Sequence, residues 1–121
     1  MSLDATARRR YARQLLIGEI GEAGQLRLLD AGFRHGADGD VDATAVAAEY
    51  LERAGCSGDE AGAELRVPNA SAVLRFAGSL ALREPAAVII GAFSAVEHLK
   101  KVLGIAAARE LPPELTLSSK D

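Results

Sequence analysis

The chain contains no tryptophan, and among its 121 residues there are only three phenylalanines and two tyrosines. Its core must therefore be aliphatic, built from Leu, Val, Ile and Ala. A lone cysteine, Cys56, excludes an internal disulfide and a cysteine-based zinc site, and suits a reducing cytoplasm. No apolar run is long enough to span a membrane. The longest, Ala86 to Val96, is interrupted by Gly91 and Ser94 and followed by His98, Lys100 and Lys101. The N-terminal arginines have no apolar stretch behind them of the length a signal peptide needs. There is no excess of positive charge: the net charge is −3, which gives no reason to expect nucleic acid as a partner. Basic residues are concentrated locally, with Arg8, Arg9, Arg10 and Arg13 crowding the N-terminus. These absences describe a cytoplasmic chain that engages neither nucleic acid nor membrane.

What is present fits one globular domain. Hydrophobic residues make up 49% and charged residues 26%, the balance of a folded chain and not of a disordered one. Asp4 and Thr6 can each cap a first helix from Ala5 to Ile17, with Tyr11, Leu15 and Leu16 on its apolar face. A second helix, Glu22 to Asp30, places Leu26 and Leu29 on one side. Together they form an N-terminal helical pair over 4–30. The stretch 31–41 is loop chemistry, rich in glycine and aspartate, with at most a short strand around Phe33. Asp40 or Asp42 can cap a third helix to Ala54, whose apolar face is Val46, Tyr50, Leu51 and Ala54, with Gly55 as the residue that ends it.

The stretch "AELRV" alternates Ala63, Leu65 and Val67 against Glu64 and Arg66, the period of a half-buried strand. Pro68 stops it, and Asn69 can cap a fourth helix with Val73, Phe76, Ala77 and Leu80 at helical spacing. Pro85 to Leu103 puts Ile89, Ala92, Phe93, Val96, Leu99 and Leu103 on one side. Its length and unbroken 3.6-residue period favour one helix over a buried strand "AAVIIGA" followed by a shorter helix. Ala87, Gly91 and Ala95, at four-residue steps, would let another helix approach closely and suggest a partner surface. Lys100, Lys101 and a surface His98 suit the end of that helix. The core helices and strand thus occupy 42–104, followed by a loose tail over 105–121 containing Pro112 and Pro113.

The most specific motif is "RYARQLLIGEIGEAGQLRLLDA", which runs from Arg10 to Ala31. Arg10, Tyr11, Arg13, Gln14, Gly21, Gly24, Gln25 and Leu28 or Leu29 stay in step with a pattern R-Y-x-R-Q, a few apolar residues, then x-x-G-x-x-G-Q-x-x-L. The segment resembles the N-terminus of the ThiF/MoeB family, ATP-dependent enzymes that adenylate the C-terminus of ubiquitin-like sulfur carriers. "AVAAEYLERAGC" and "GAFSAVEHLKKVLGI" resemble, in the same order, the family's helix after its glycine loop and one of its late helices. The resemblance covers a little under half the chain. It implies a reduced Rossmann-like α/β domain, helix-dominated, with about five helices and one or two short strands. It also implies that Arg13, and with it Arg10, contacts the ATP phosphates of an opposite subunit. An arginine suits that role because its planar fork meets two oxygens and stays protonated.

Departures from the family pattern bear on activity. Where the family has a buried strand and a G-x-G-G-x-G phosphate turn, this chain has "GFRHGADGDVDA", whose Asp38, Asp40 and Asp42 would repel a triphosphate. The ribose-binding acid, the phosphate lysine, the magnesium aspartate, the C-x-x-C pairs and the acceptor cysteine have no counterparts, and Cys56 falls where a small packed residue is expected. No cofactor is expected, and adenylation by this chain alone is not. Neither histidine has a serine or cysteine partner at a spacing that marks nucleophilic catalysis. The expected role is a noncatalytic interaction protein forming a homodimer, or a heterodimer with a full-length adenylating enzyme, or engaging its ubiquitin-like carrier. Two alternatives stand beside it. One is a small autonomous enzyme using a metal at the loop, with His35, Asp38 and Asp40 as weak ligand candidates; the other is a structural domain without ligand.

Overall fold

A computed structural model describes residues 4–10, 21–104 and 115–117. It is a helix-dominated α/β fold, in the order α1 (Ala5–Arg10), α2 (Gly21–Asp30), β1 (Phe33–His35), α3 (Val41–Arg53), β2 (Ala63–Leu65), α4 (Ala70–Ala77), a 3₁₀ turn (Leu80–Leu82) and α5 (Arg83–Leu103). The expected strand around Phe33 and the one in "AELRV" both form. They pair in parallel, with Phe33 opposite Ala63 and His35 opposite Leu65, so β1–α3–β2 is a single β–α–β unit. The continuation of the first helix to Ile17 lies outside the described residues.

Local chemistry accounts for most boundaries. The Asp4 carboxylate accepts the Ala7 N–H at 2.8 Å and opens α1. Asp40, not Asp42, caps α3, accepting the Ala43 N–H at 2.9 Å. Asn69 caps α4 in the same way through the Ala72 N–H. The helix expected from Pro85 is one unbroken helix of 21 residues, begun two residues earlier at Arg83. Among the described residues no single helix is long and apolar enough to cross a membrane.

The helix faces differ from expectation. In α2 the buried residues are Gly24, Gln25 and Leu28, while Leu29 is exposed. In α3 they are Ala43, Ala47 and Leu51, and Tyr50 is exposed. In β2 Leu65 is buried but Ala63 faces solvent, and Leu80 leaves α4 altogether to stand exposed in the 3₁₀ turn. The largest displacement is in α5, which buries Ala86, Ala87, Ile90, Gly91, Ser94, Ala95 and His98 and leaves Ile89 and Val96 outside.

The shift in α5 has a clear cause. The core is set by how closely α3 and α5 approach, and small residues permit the closest approach. A Cβ on Gly91 would lie 2.6 Å from the Ala43 carbonyl oxygen and 2.7 Å from Val46. The stripe Ala87–Gly91–Ala95 is therefore used inside the molecule and is not the partner surface it suggested.

Two apolar clusters result. Phe33, Ala47, Leu51, Cys56, Leu65 and Ala95 form one; Ala43, Val73, Ala77, Ala86, Ala87 and Ile90 form the other. Leu117 donates its N–H to the Phe76 carbonyl at 2.7 Å and packs against the second cluster. Residues 105–114 and 118–121 lie outside the described residues.

Candidate functional site

The loop from β1 into α3 is where a β–loop–α unit would present backbone N–H groups to phosphate. Here the chain supplies its own anion. The Asp40 side chain is 1% exposed, and one oxygen accepts the Ala43 N–H while the other meets Arg83 Nη2 at 2.7 Å. The Asp40 N–H is also engaged, donating to the Pro68 carbonyl at 2.8 Å. Arg83 reaches Asp42 as well, at 2.9 Å, so one guanidinium holds the first turn of α3 to the first turn of α5. Its hydrogen bond to Asp42, with the charge of Asp40 beside it, makes that guanidinium harder still to deprotonate.

Arg83 was not among the residues singled out by sequence. The signal available was the crowd of aspartates at 38, 40 and 42, which calls for a cation. Its partner lies 43 residues away from Asp40, so no local spacing could name it.

The suggested metal ligands do not converge. His35 and Asp38 are exposed, with the His35 ring beside Phe33, while Asp40 is committed to Arg83 and the helix N-terminus. Among the described residues no group of three or more His, Cys, Asp or Glu is placed to hold a metal ion.

His98, expected at the surface, is 4% exposed, with its ring edge-on to Phe33 at 6.3 Å between centroids. Its Nε2 is buried without a hydrogen-bond partner. Burial, reinforced by the charge of Lys101, lowers its pKa below the ordinary 6.5. Its neighbour Glu97 is largely buried too, and Lys100 Nζ approaches it at 2.9 Å. Ser94 gives its hydroxyl to the Ile90 carbonyl at 2.8 Å, so it acts on the helix backbone and not on His98. Cys56 is the small packed residue that was expected: it is fully buried, its Sγ lies 3.0 Å from the Ala31 carbonyl oxygen, and burial raises its pKa.

The α1 arginines, Arg8, Arg9 and Arg10, are exposed. Arg8 pairs with Glu22 at 2.6 Å, and Arg10 makes a long contact of 3.4 Å to the Glu52 carbonyl at the end of α3. Arg13, Tyr11 and Gln14 lie outside the described residues. The remaining motif positions belong to α2. Gly24 is buried there, and the buried Gln25 donates its Nε2 N–H to the Ala54 carbonyl at 2.8 Å, tying α2 to the end of α3.

Beside that junction is an apolar groove of about 300 Å³, lined by Leu28, Tyr50, Arg53, Ala95, Val96, Leu99 and Leu103 among others. No family model, curated protein or solved structure matches the chain.

Proposed function

We propose that the chain is a noncatalytic interaction protein, a reduced relative of ThiF/MoeB-type adenylating enzymes. It pairs with itself, with a full-length enzyme of that type or with the carrier, and it presents its arginine-bearing N-terminus to the partner. The observation that carries this reading is the buried Asp40 carboxylate at the first turn of α3. A phosphate brought there would meet a fixed negative charge already satisfied by an N–H and by Arg83. A chain that closes its own phosphate position can still act on a nucleotide held elsewhere, because the α1 arginines remain exposed. Arg13 is the candidate contact, with Arg10 beside it.

The test mixes the chain with a full-length adenylating enzyme and a Gly-Gly-ending carrier from the same organism, and follows ATP–pyrophosphate exchange. Addition of the chain should change the exchange rate, and Arg13→Ala should abolish that change while leaving the circular dichroism spectrum intact. Calorimetric titration of the chain alone with Mg·ATP should show no heat of binding. An exchange rate indifferent to the chain, or ATP binding by the chain alone, would overturn the reading.

A further inference from the structure

The outer face of α5 bears no charged residue between Glu84 and Glu97, a run of twelve positions. Val88, Ile89 and Val96 there are 47%, 43% and 53% exposed, with Ala92 and Phe93 half-buried between them. At about 100° per residue, Pro85, Val88, Ile89, Ala92 and Val96 fall within an arc of roughly 100°, opposite the face packed on α3. A helix apolar on both sides is stable in water when both sides are covered. Towards its C-terminal end the same stripe runs into the apolar groove, where Val96, Leu99 and Leu103 form one wall and Leu28 and Tyr50 contribute to the other. One half of the face therefore projects branched side chains, and the other half is concave.

We infer that this face is covered by a second copy of the chain, its α5 antiparallel to the first about a two-fold axis near Ala92 and Phe93. Such an axis makes the contact isologous: Val88 and Ile89 of each copy settle over the Val96–Leu103 groove of the other. Ile89 and Val96 lie equally far from the axis, about 5 Å along the helix on either side, so the projecting and concave halves come into register together.

The charges select the direction. Exposed Glu84 marks the N-terminal end of α5 and exposed Lys101, with Lys100, the C-terminal end. An antiparallel pair brings each copy's acidic end to the other's basic end and opposes the two helix dipoles, whereas a parallel pair would stack like on like. An uncharged stripe also offers nothing to a strongly charged partner, whose groups it would desolvate without compensation. The inference deepens the self-pairing arm of the proposed function.

The test is sedimentation and light scattering of the full chain from micromolar to millimolar concentration, joined to cross-linking. A dimer is expected. Ile89→Glu and Val96→Glu, at half-exposed positions, should fold as the parent chain does and weaken self-association at least about tenfold, since each would carry a charge into an apolar contact. Glu84→Lys should weaken it, and adding Lys101→Glu to that variant should restore it. Because Cys56 is buried, the thiol of Ala92→Cys is the accessible one. It should form a covalent dimer under mild oxidation, where Ser71→Cys on α4 does not.

A chain that stays monomeric throughout, or binds neutral lipid vesicles only as a monomer, overturns the inference. So does a dimer that survives both glutamate variants and gives no Ala92→Cys cross-link. The exchange assay above is read independently. An Ile89→Glu chain that is monomeric yet still alters the partner's exchange would separate the two conclusions.

Discussion

Viewed down its axis, α5 turns several small or polar residues inward and several branched apolar ones outward. Ala87, Gly91, Ser94, Ala95 and His98 face the molecule; Val88, Ile89 and Val96 face away. The inner face gains from proximity. With Gly91 against the Ala43 carbonyl, α3 and α5 come close enough for backbone and small side chains to pack, and dispersion summed along the seam compensates for the smaller area of each residue. Among the described residues the outer face has no such close partner. Apolar character alone thus does not choose the buried side of a helix; the distance to the facing element does.

The sharpest way to break this comparison is at its closest point. Gly91→Val should cost about 3 kcal/mol in urea unfolding, because the atom it strikes is a backbone oxygen that cannot swing aside. Ala92→Val, one residue on and half-exposed, should stay within about 0.5 kcal/mol. Equal costs at the two positions would remove the distinction between the faces.

Next comes the polar clamp at the N-terminal end of the seam. Asp40→Ala should cost about 1–2 kcal/mol, since it deletes the cap of α3 and leaves Arg83 with Asp42 alone. Asp40→Asn, which keeps a capping oxygen, should recover part of that loss. A variant as stable as the parent would show that Asp40 is dispensable to the fold.

Acid probes the inner face further along. Folded His98 holds its proton less tightly than the unfolded chain does, so below 6.5 the unfolded state binds more protons and stability falls as pH drops. Above that value this residue contributes no slope. His98→Leu should flatten the decline just below 6.5 with little cost at neutral pH, because it removes a buried nitrogen that has no partner. An unchanged slope in the variant would assign the acid sensitivity elsewhere. Smallest in stability is Ile89→Glu, expected within about 0.5 kcal/mol of the parent in the unfolding of the dissociated chain.

Much of the architecture was legible in the sequence for reasons that are local. Asp4 and Asn69 announce helix starts, Gly55 and Gly104 take positive φ just past helix ends, and alternation in "AELRV" marks a strand. These are decided within a few residues. The buried faces were read less well, because period 3.6 gives the spacing of a stripe but not which of two overlapping stripes meets a neighbour. Leu29 lost to Leu28 and Tyr50 to Ala47 on that account.

The candidate site divides in the same way. That Asp40 could cap α3 was visible; that Arg83 would reach it was not, since 43 residues separate them. His98 sat beside two lysines and suggested solvent, yet the turn of α5 that carries it faces Phe33.

The tie between Leu117 and Phe76 has a mechanical consequence. The hydrogen bond from Leu117 joins the C-terminal stretch to the last turn of α4, a helix of only eight residues. Tension applied at the C-terminus is therefore delivered first to α4 and to the cluster around Val73 and Ala77. Among the described residues that tie lies between the C-terminal stretch and the seam of α3 against α5, so it takes load before the seam does. Pulled from this end, the protein should yield in two steps, a small one at the strap and a larger one at the helical pair.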